Sequence, residues 1–247
     1  MRLVAFQPPI FPTLQGEGKL VGMPSVFVRM HGCDYSCEWC DTKPSWAPKS
    51  TWMELPVEEV VDRVKSYGLH HLVITGGNPM LQVNDVADLA AAVRQAWWDE
   101  KLKVWRPGMH VTLETQGSIF DQTALYHINL QSLSPKLHVA GWQDTIWPWL
   151  ESAQGLPNLD TQIKLVVDSK EGYRDAMYFF EEVRHWWQRC NSAKDVPTFI
   201  LQPESSRGRR LIESMCSWYE DTRRTQPRDT GEVRIIPQLH KTSLHVI

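Results

Sequence analysis

The chain has 247 residues, of which 42% are hydrophobic and 22% charged, and its formal net charge is −3. No apolar run approaches the ~20 residues needed to cross a bilayer, and Met1 to Pro9 has no apolar core ahead of a small-residue cleavage site. The one basic cluster, Arg207-Gly208-Arg209-Arg210, is too short to be a polyanion footprint, so membrane, export and nucleic-acid roles are set aside and a single cytoplasmic domain, 1–247, is expected.

In chain order, Val26 to Met30 reads as a buried strand and leads into a cysteine-rich loop through Gly32. Val57 to Tyr67 has apolar residues at helical spacing and stops at Gly68, and Leu72 to Thr75 is a strand that ends in Gly76-Gly77. A helix is expected from about Asp85 to Trp98, capped by Asn84. Strands follow at His110 to Glu114, near His127 to Leu133 and at Gln162 to Val167, with a Trp- and Pro-bearing stretch before the last of these. A helix over Glu171 to about Gln188, a strand at Thr198 to Leu201, a helix over Gly208 to Arg223 and an edge strand over Val233 to Leu239 complete the pattern.

Strands that alternate with helices and carry apolar runs argue for a parallel sheet, because parallel strands need crossovers and are covered on both faces. The fold class is α/β, a partial (open) TIM-like barrel of parallel strands with outer helices. In such folds the site lies at the C-terminal strand ends, where the unusual residues fall: the cysteines, Gly76-Gly77, Gln116-Gly117, Ser134-Pro135-Lys136 and Gln202-Pro203. Trp97-Trp98 and Trp186-Trp187 are read as core or contact residues on helices. The stretch from about Trp97 to Trp149 is expected to thicken a helix layer or to meet another subunit.

Cys33, Cys37 and Cys40 form CxxxCxxC within eight residues. Three thiolates leave one iron of a cubane iron–sulfur cluster open to a small molecule. A structural zinc site is the competing reading, and it lacks a local fourth ligand. Cys190 and Cys216 are read as ordinary helical cysteines.

CxxxCxxC after the first strand, with Trp39 just before its last cysteine, resembles the radical S-adenosylmethionine superfamily. The resemblance implies a [4Fe–4S] cluster held by Cys33, Cys37 and Cys40, with S-adenosylmethionine on the open iron as the source of a radical that abstracts hydrogen from substrate. Thr13 to Gly18, Gly22 to Arg29 and the Asp41-Thr42 continuation are similar to the 7-carboxy-7-deazaguanine synthase family. Thr75-Gly76-Gly77-Asn78-Pro79, Glu114 to Gly117, Ser134-Pro135-Lys136, Gln202-Pro203 and Gln238-Leu239-His240-Lys241 follow in that family's order, over essentially the whole chain.

The family implies conversion of the pterin 6-carboxy-5,6,7,8-tetrahydropterin to 7-carboxy-7-deazaguanine with loss of ammonia, assisted by Mg²⁺ on the Thr42 hydroxyl. It implies substrate contacts at Leu14, Gln15, Gly16, Glu17, Arg29, Thr75, His240 and Ile247. It implies S-adenosylmethionine contacts at Trp39, Gly77, Asn78, Gly117, Ser134, Pro135, Lys136, Gln202 and Pro203. Arg29 inside an apolar strand needs an anionic partner on physical grounds as well. Asn78 stands where the superfamily has Glu, and weaker but retained binding of the S-adenosylmethionine ammonium is expected there. An external electron donor such as a flavodoxin and a homodimer complete the expectation. A glycyl-radical activase and a catalytically silent cluster protein of the same fold are the competing functions.

Overall fold

Runs of β-branched and apolar residues that must be covered on both faces pair side by side, and helices take up the connections between them. The computed structural model describes residues 1–5, 8–99, 101–138, 141–190, 194–225 and 233–238. The N-terminal third contains β1 (Arg2–Val4), β2 (Ile10–Leu14), β3 (Pro24–Met30), β4 (Trp52–Glu54), α1 (Val57–Ser66), β5 (His71–Gly76) and α2 (Val83–Arg94). The middle adds β6 (Trp97–Asp99), β7 (Val104–Arg106), β8 (His110–Thr115), β9 (Leu130–Leu133) and α3 (Trp142–Gly155). The last third contains β10 (Asp160–Val167), α4 (Lys170–Arg189), β11 (Thr198–Pro203), α5 (Gly208–Thr225) and β12 (Val233–Ile235).

The main sheet runs β12-β11-β10-β9-β8-β5-β3-β1-β4, with β2 also paired to β3. From β3 to β12 every neighbour pair is parallel, whereas β1, β2 and β4 add antiparallel edges at the N-terminal side. The sheet ends in different strands at its two edges, so the barrel is open, as the sequence leads one to expect. Among the described residues no helix is long and apolar enough to cross a membrane.

Helix signals explain the outer layer. α1 buries Val60, Val61 and Val64, with Glu58 and Glu59 in its first turn and Arg63 and Lys65 in its last, as the helix dipole favours. Ser169 caps α4 by accepting from the Gly172 N–H at 3.1 Å. One cluster of buried apolar side chains runs from Met1 to Val233 between sheet and helices.

The structure differs locally from the sequence expectation for physical reasons. The second helix ends at Arg94, and Trp97 and Trp98 belong to a two-stranded hairpin with Val104–Arg106. Asp99 makes that turn, accepting from the Lys101 and Leu102 N–H groups and from Arg106, while Trp98 meets Trp105 across the strands. Asn84 lies inside α2, which starts after Gln82 without a side-chain cap, and the Asn78 side chain instead caps the 3₁₀ turn Pro79–Gln82 ahead of it by accepting from the Met80 N–H. The Trp- and Pro-bearing stretch is a helix, α3, that keeps Pro148 in its interior because Trp142, Ile146, Trp149, Leu150 and Ala153 form a buried stripe. The expected strand from His127 is shorter, Leu130–Leu133, and a 3₁₀ turn over Gln122–His127 precedes it.

At the N-terminal end of the barrel the interior is polar but neutral. His71, 1% exposed, bonds Ser25 Oγ through Nδ1 at 2.7 Å and Thr112 Oγ1 through Nε2 at 2.8 Å. Burial, and secondarily the neighbouring His110, pull its pKa down to about 4. The unfolded chain therefore takes up a proton that the native state refuses between pH 6.5 and 4, and stability falls as pH drops through that window. His110 and His31 are shifted the same way by burial. Urea unfolding at pH 7 and pH 4.5 is expected to show His71→Gln losing roughly 2 kcal/mol less than wild type on acidification; equal losses in the two proteins would place the acid sensitivity elsewhere.

Candidate functional site

Strand alternation decides what faces the open end of the barrel. Side chains at i and i+2 share a face, and one file on each strand, such as Val26, Val28 and Met30 or Ile163, Leu165 and Val167, packs into the helix-side core. The opposite file lines a cavity of about 420 Å³: Phe27 and Arg29 on β3, Thr75 on β5, Glu114 on β8, Ser132 on β9, Lys164 and Val166 on β10, and Gln202 on β11. Cys33, Cys37 and Cys40 line it too, on the loop that leaves β3.

Of the residues singled out in the sequence, Leu14, Gln15, Gly16, Glu17, Arg29, Trp39, Thr42, Thr75, Gly77, Ser134, Lys136, Gln202 and Pro203 also line this cavity. Asn78, Gly117 and Pro135 do not. His240 and Ile247 lie outside the described residues.

The turn after β5 presses on the loop after β3. A Cβ on Gly76 would sit 2.1 Å from the Met30 carbonyl oxygen, and one on Gly77 would sit 2.1 Å from that of Gly32. The Gly77 N–H donates to Met30 O at 3.2 Å, and the Asn78 N–H donates to Gly32 O at 2.7 Å. Backbone contact with the cysteine loop is thus reason enough for both glycines.

Asn78 is engaged by the same loop. Its side chain is fully buried, and Oδ1 accepts from the Met80 N–H at 3.2 Å and from Thr115 Oγ1 at 2.9 Å. Nδ2 donates to Asp34 Oδ1 at 2.8 Å and to Ser118 Oγ at 3.0 Å. The acceptor expected to meet an ammonium is spent inside the protein, and the residue ties the β5 turn to the cysteine loop. Gln116 adds a second donor to Asp34 Oδ1 at 2.6 Å. Gly117 faces α3, its carbonyl accepting from Trp149 Nε1 at 3.0 Å.

The cysteines fit a cluster better than a single ion. Among the described residues no three His, Cys, Asp or Glu side chains converge on one metal ion. Thiolates that each bind a different iron stand further apart than the ligands of one zinc. Cys190 and Cys216 are exposed on the helical side and supply no fourth ligand in the cavity. N–H donors aim at the sulfurs: Trp46 Nε1 and the Thr42 N–H at Cys40 Sγ (3.2 and 3.4 Å), and the Tyr35 N–H and Gln116 Nε2 at Cys33 Sγ (3.5 and 3.6 Å). Such donors suit sulfur that carries negative charge. Burial pushes the Cys33 and Cys37 thiols up, so their anionic form calls for positive charge such as iron supplies.

Beside the cysteines, the Lys136 ammonium donates to Ser134 O and Oγ and lies 5.3 Å from the centre of the Trp39 ring. Burial pulls it down to about 8, against the pull of Cys37. Among the described residues the buried Gln202 Oε1 at the cavity wall has no hydrogen-bond partner. An unmet acceptor of this kind fits a ligand with an N–H to offer.

The opposite wall is a network of charges. Glu114 accepts from Gln15 Nε2 at 3.1 Å and from Thr75 Oγ1 at 2.8 Å. Gln15 Oε1 accepts from the Glu17 N–H at 3.1 Å. Glu17 pairs with Lys164, and Gln238 donates from one amide nitrogen to Glu17 Oε1 at 2.6 Å and Asp41 Oδ2 at 2.9 Å. Thr42 Oγ1 donates to Asp41 Oδ1 at 2.8 Å. Burial would raise Glu17, but Lys164 and two hydrogen bonds hold it below the usual carboxylate range. Burial would lower Lys164, and Glu17, Glu114 and Asp41 together raise it. Burial lowers Arg29 against the opposing charge of Asp41, and its guanidinium stacks 4.4 Å from the Phe11 ring centre.

Glu114, Lys164 and Gln238 are absent from the sequence-derived site. The argument that flags Arg29, a charge inside an apolar strand, applies equally to Lys164.

Comparison with known proteins agrees with this geometry. The Radical SAM superfamily profile matches residues 27–159. The chain is 40% identical over 217 residues to 7-carboxy-7-deazaguanine synthase of Halobacterium salinarum, covering 80% of this chain and 76% of that one. It is 27% identical to the Bacillus cereus protein of that name, over 93% of this chain and 91% of the relative. Among solved structures, QueE from Escherichia coli superposes with a TM-score of 0.58 at 25% identity, covering 94% of this chain and 92% of that one.

The role of Asn78 is testable without substrate. Asn78→Glu sets a carboxylate against Asp34 and removes two donated hydrogen bonds, and it is expected to cost about 2 kcal/mol in unfolding and to lower the iron bound per chain after reconstitution. Adding Asp34→Asn should recover at least half of both losses. An Asn78→Glu protein of wild-type stability and iron content would remove Asn78 from the anchoring of the loop.

Proposed function

The chain belongs to the radical SAM superfamily and, within it, to the 7-carboxy-7-deazaguanine synthase family, and from that membership we propose that it converts 6-carboxy-5,6,7,8-tetrahydropterin to 7-carboxy-7-deazaguanine. The change contracts a ring and releases ammonia, on the route to 7-deazapurines such as queuosine. Substrate equals product plus ammonia, so there is no net oxidation. The observation that carries the reading is one cavity whose wall joins CxxxCxxC to the Gln15-Gly16-Glu17 loop and Arg29.

The enzyme uses a [4Fe–4S] cluster and S-adenosylmethionine. When bound, they supply a carbon radical that takes a hydrogen atom from substrate. Cys33, Cys37 and Cys40 hold the cluster. Trp39, Gly77, Ser134, Lys136, Gln202 and Pro203 form the S-adenosylmethionine side of the cavity, where the unmet Gln202 oxygen suits an adenine amino group.

On the other side Arg29 addresses the substrate carboxylate, whose planar oxygens match a guanidinium fork. Leu14, Gln15, Gly16, Glu17 and Thr75 meet the pterin ring. Glu114 fixes Gln15 and Thr75 so that little motion is left to freeze when substrate arrives. Thr42, oriented by Asp41, offers a hard oxygen to Mg²⁺, and substrate completes the shell. His240 and Ile247 are proposed substrate contacts on family resemblance. The same resemblance supports a homodimer and a one-electron donor such as a flavodoxin.

Anaerobic reconstitution with iron and sulfide, followed by reductant, S-adenosylmethionine, Mg²⁺ and the carboxytetrahydropterin, should yield 7-carboxy-7-deazaguanine by mass and ultraviolet absorbance. Alanine at Cys33, Cys37 or Cys40 should abolish both cluster and product. Thr42→Val should keep the cluster and lose most of the stimulation by Mg²⁺, roughly 10-fold. A loaded cluster that cleaves S-adenosylmethionine and leaves the pterin intact would redirect the search to other substrates.

A further inference from the structure

Lys164 stands mid-strand in β10, between Ile163 and Leu165, which point into the helix-side core, while its own side chain is 10% exposed and lines the cavity. An ammonium so placed is tolerated only with a counter-charge, and Glu17 supplies it. An ammonium has three protons to donate. Among the described residues Glu17 Oε2 is the one acceptor on Nζ, which leaves two N–H groups unspent at the wall of the site.

Among the described residues the neighbouring side chains on that wall are largely engaged with one another. The Gln15 amide is committed to Glu114 and to the Glu17 N–H. Thr75 donates to Glu114, and Gln238 donates to Glu17 and Asp41. Gln162, the preceding residue on the same face of β10, donates to Ser132 Oγ at 2.7 Å and accepts from the Lys19 N–H at 2.8 Å. The floor beneath Lys164 is therefore fixed, and the ammonium is the charged group there that keeps two N–H donors to offer.

A lactam edge presents a carbonyl acceptor beside an N–H donor. The Lys164–Glu17 pair presents the complement, a donor beside an acceptor. We infer that Lys164 is a further substrate-binding residue, whose ammonium donates to the ring carbonyl oxygen of a 2-amino-4-oxopyrimidine ring while Glu17 accepts from the adjacent ring N–H. The inference rests on the reading of the substrate as a pterin. It divides the substrate's two anion-like features between two cations: Arg29 takes the carboxylate and Lys164 the lactam oxygen. Replacing that oxygen by an amino group would set donor against donor, so Lys164 also selects against 2,4-diaminopteridines.

The test uses the reconstituted holoenzyme and two unreactive probes, 6-carboxypterin and 6-carboxy-2,4-diaminopteridine, titrated against wild type, Lys164→Gln and the charge-neutral pair Lys164→Gln with Glu17→Gln. Wild type is expected to prefer the oxo probe by roughly 100-fold, and Lys164→Gln to cut that preference at least about 10-fold, with S-adenosylmethionine affinity within about 2-fold of wild type. The paired variant leaves no buried carboxylate without its counter-charge, so it keeps the measurement open if the single variant folds poorly; its preference should also collapse. An undiminished preference in a folded variant overturns the inference. So does a loss that falls on the carboxylate, seen as a reduced preference for 6-carboxypterin over 6-methylpterin. Wild-type enzyme that makes no product from the carboxytetrahydropterin overturns the proposed function itself, which a turnover assay on the same holoenzyme reports separately from the probe titrations.

Discussion

The contact between two strand exits underlies the rest of the site. Three cysteines in a loop cannot hold a fixed geometry by themselves, because a short loop without regular hydrogen bonds has many conformations to lose. The fold removes that freedom by laying the turn after β5 directly on the loop, with backbone hydrogen bonds from Gly77 to Met30 and from Asn78 to Gly32. Approach this close is possible because Gly76 and Gly77 have no Cβ. The Asn78 amide then fixes the loop through Asp34, while its oxygen holds Met80 and Thr115. Parallel neighbours make this feasible: β3 and β5 end side by side, so what leaves one must meet what leaves the other.

Asn78 also shows how a residue's identity can answer to its neighbour instead of to a ligand. A carboxylate there would face Asp34, and only an amide offers donors on one side and an acceptor on the other. The charges across the cavity obey the same rule of local satisfaction. Arg29 is balanced by Asp41 and Lys164 by Glu17, and Gln238 joins the two acids. Residues from the N-terminal loop, the cysteine loop, a central strand and the C-terminal segment thus hold one another in place.

The barrel and most of the cavity were legible in the sequence because both depend on short-range signals: apolar strand runs, helical periodicity, and polar or glycine residues where strands stop. The cysteine spacing and the Gln15-Gly16-Glu17 run named the chemistry. The Asp99 hairpin was misread because Trp97 and Trp98 continue a helical pattern, and only the side-chain turn of Asp99 breaks it. α3 keeps Pro148 in its interior because the missing hydrogen bond is outweighed by the burial of residues such as Trp149 and Leu150. Lys164 and Glu114 were passed over because alternation on a strand shows which residues share a face but not which face meets the site. The internal engagement of Asn78 was not legible because, apart from Met80, its partners Asp34, Thr115 and Ser118 lie far from it in sequence.

The register of the parallel strands explains why a charged cavity is compatible with a stable barrel. Arg29, Thr75, Glu114 and Ser132 lie level with one another, and Phe27, Val73, Thr112 and Leu130 form the level beneath. Below these, Ser25, His71 and His110 stand side by side. The interior thus passes from charged, through a largely apolar level, to neutral polar groups. The middle level stands between the ion pairs and the floor, and its one polar member, Thr112, bonds downward to His71. The floor is closed to protons as well, because burial keeps His71 neutral down to about pH 4. The cysteines and the network of Glu17, Asp41, Glu114 and Lys164 therefore lie together at the C-terminal end of the barrel, where strand exits and the cysteine loop meet.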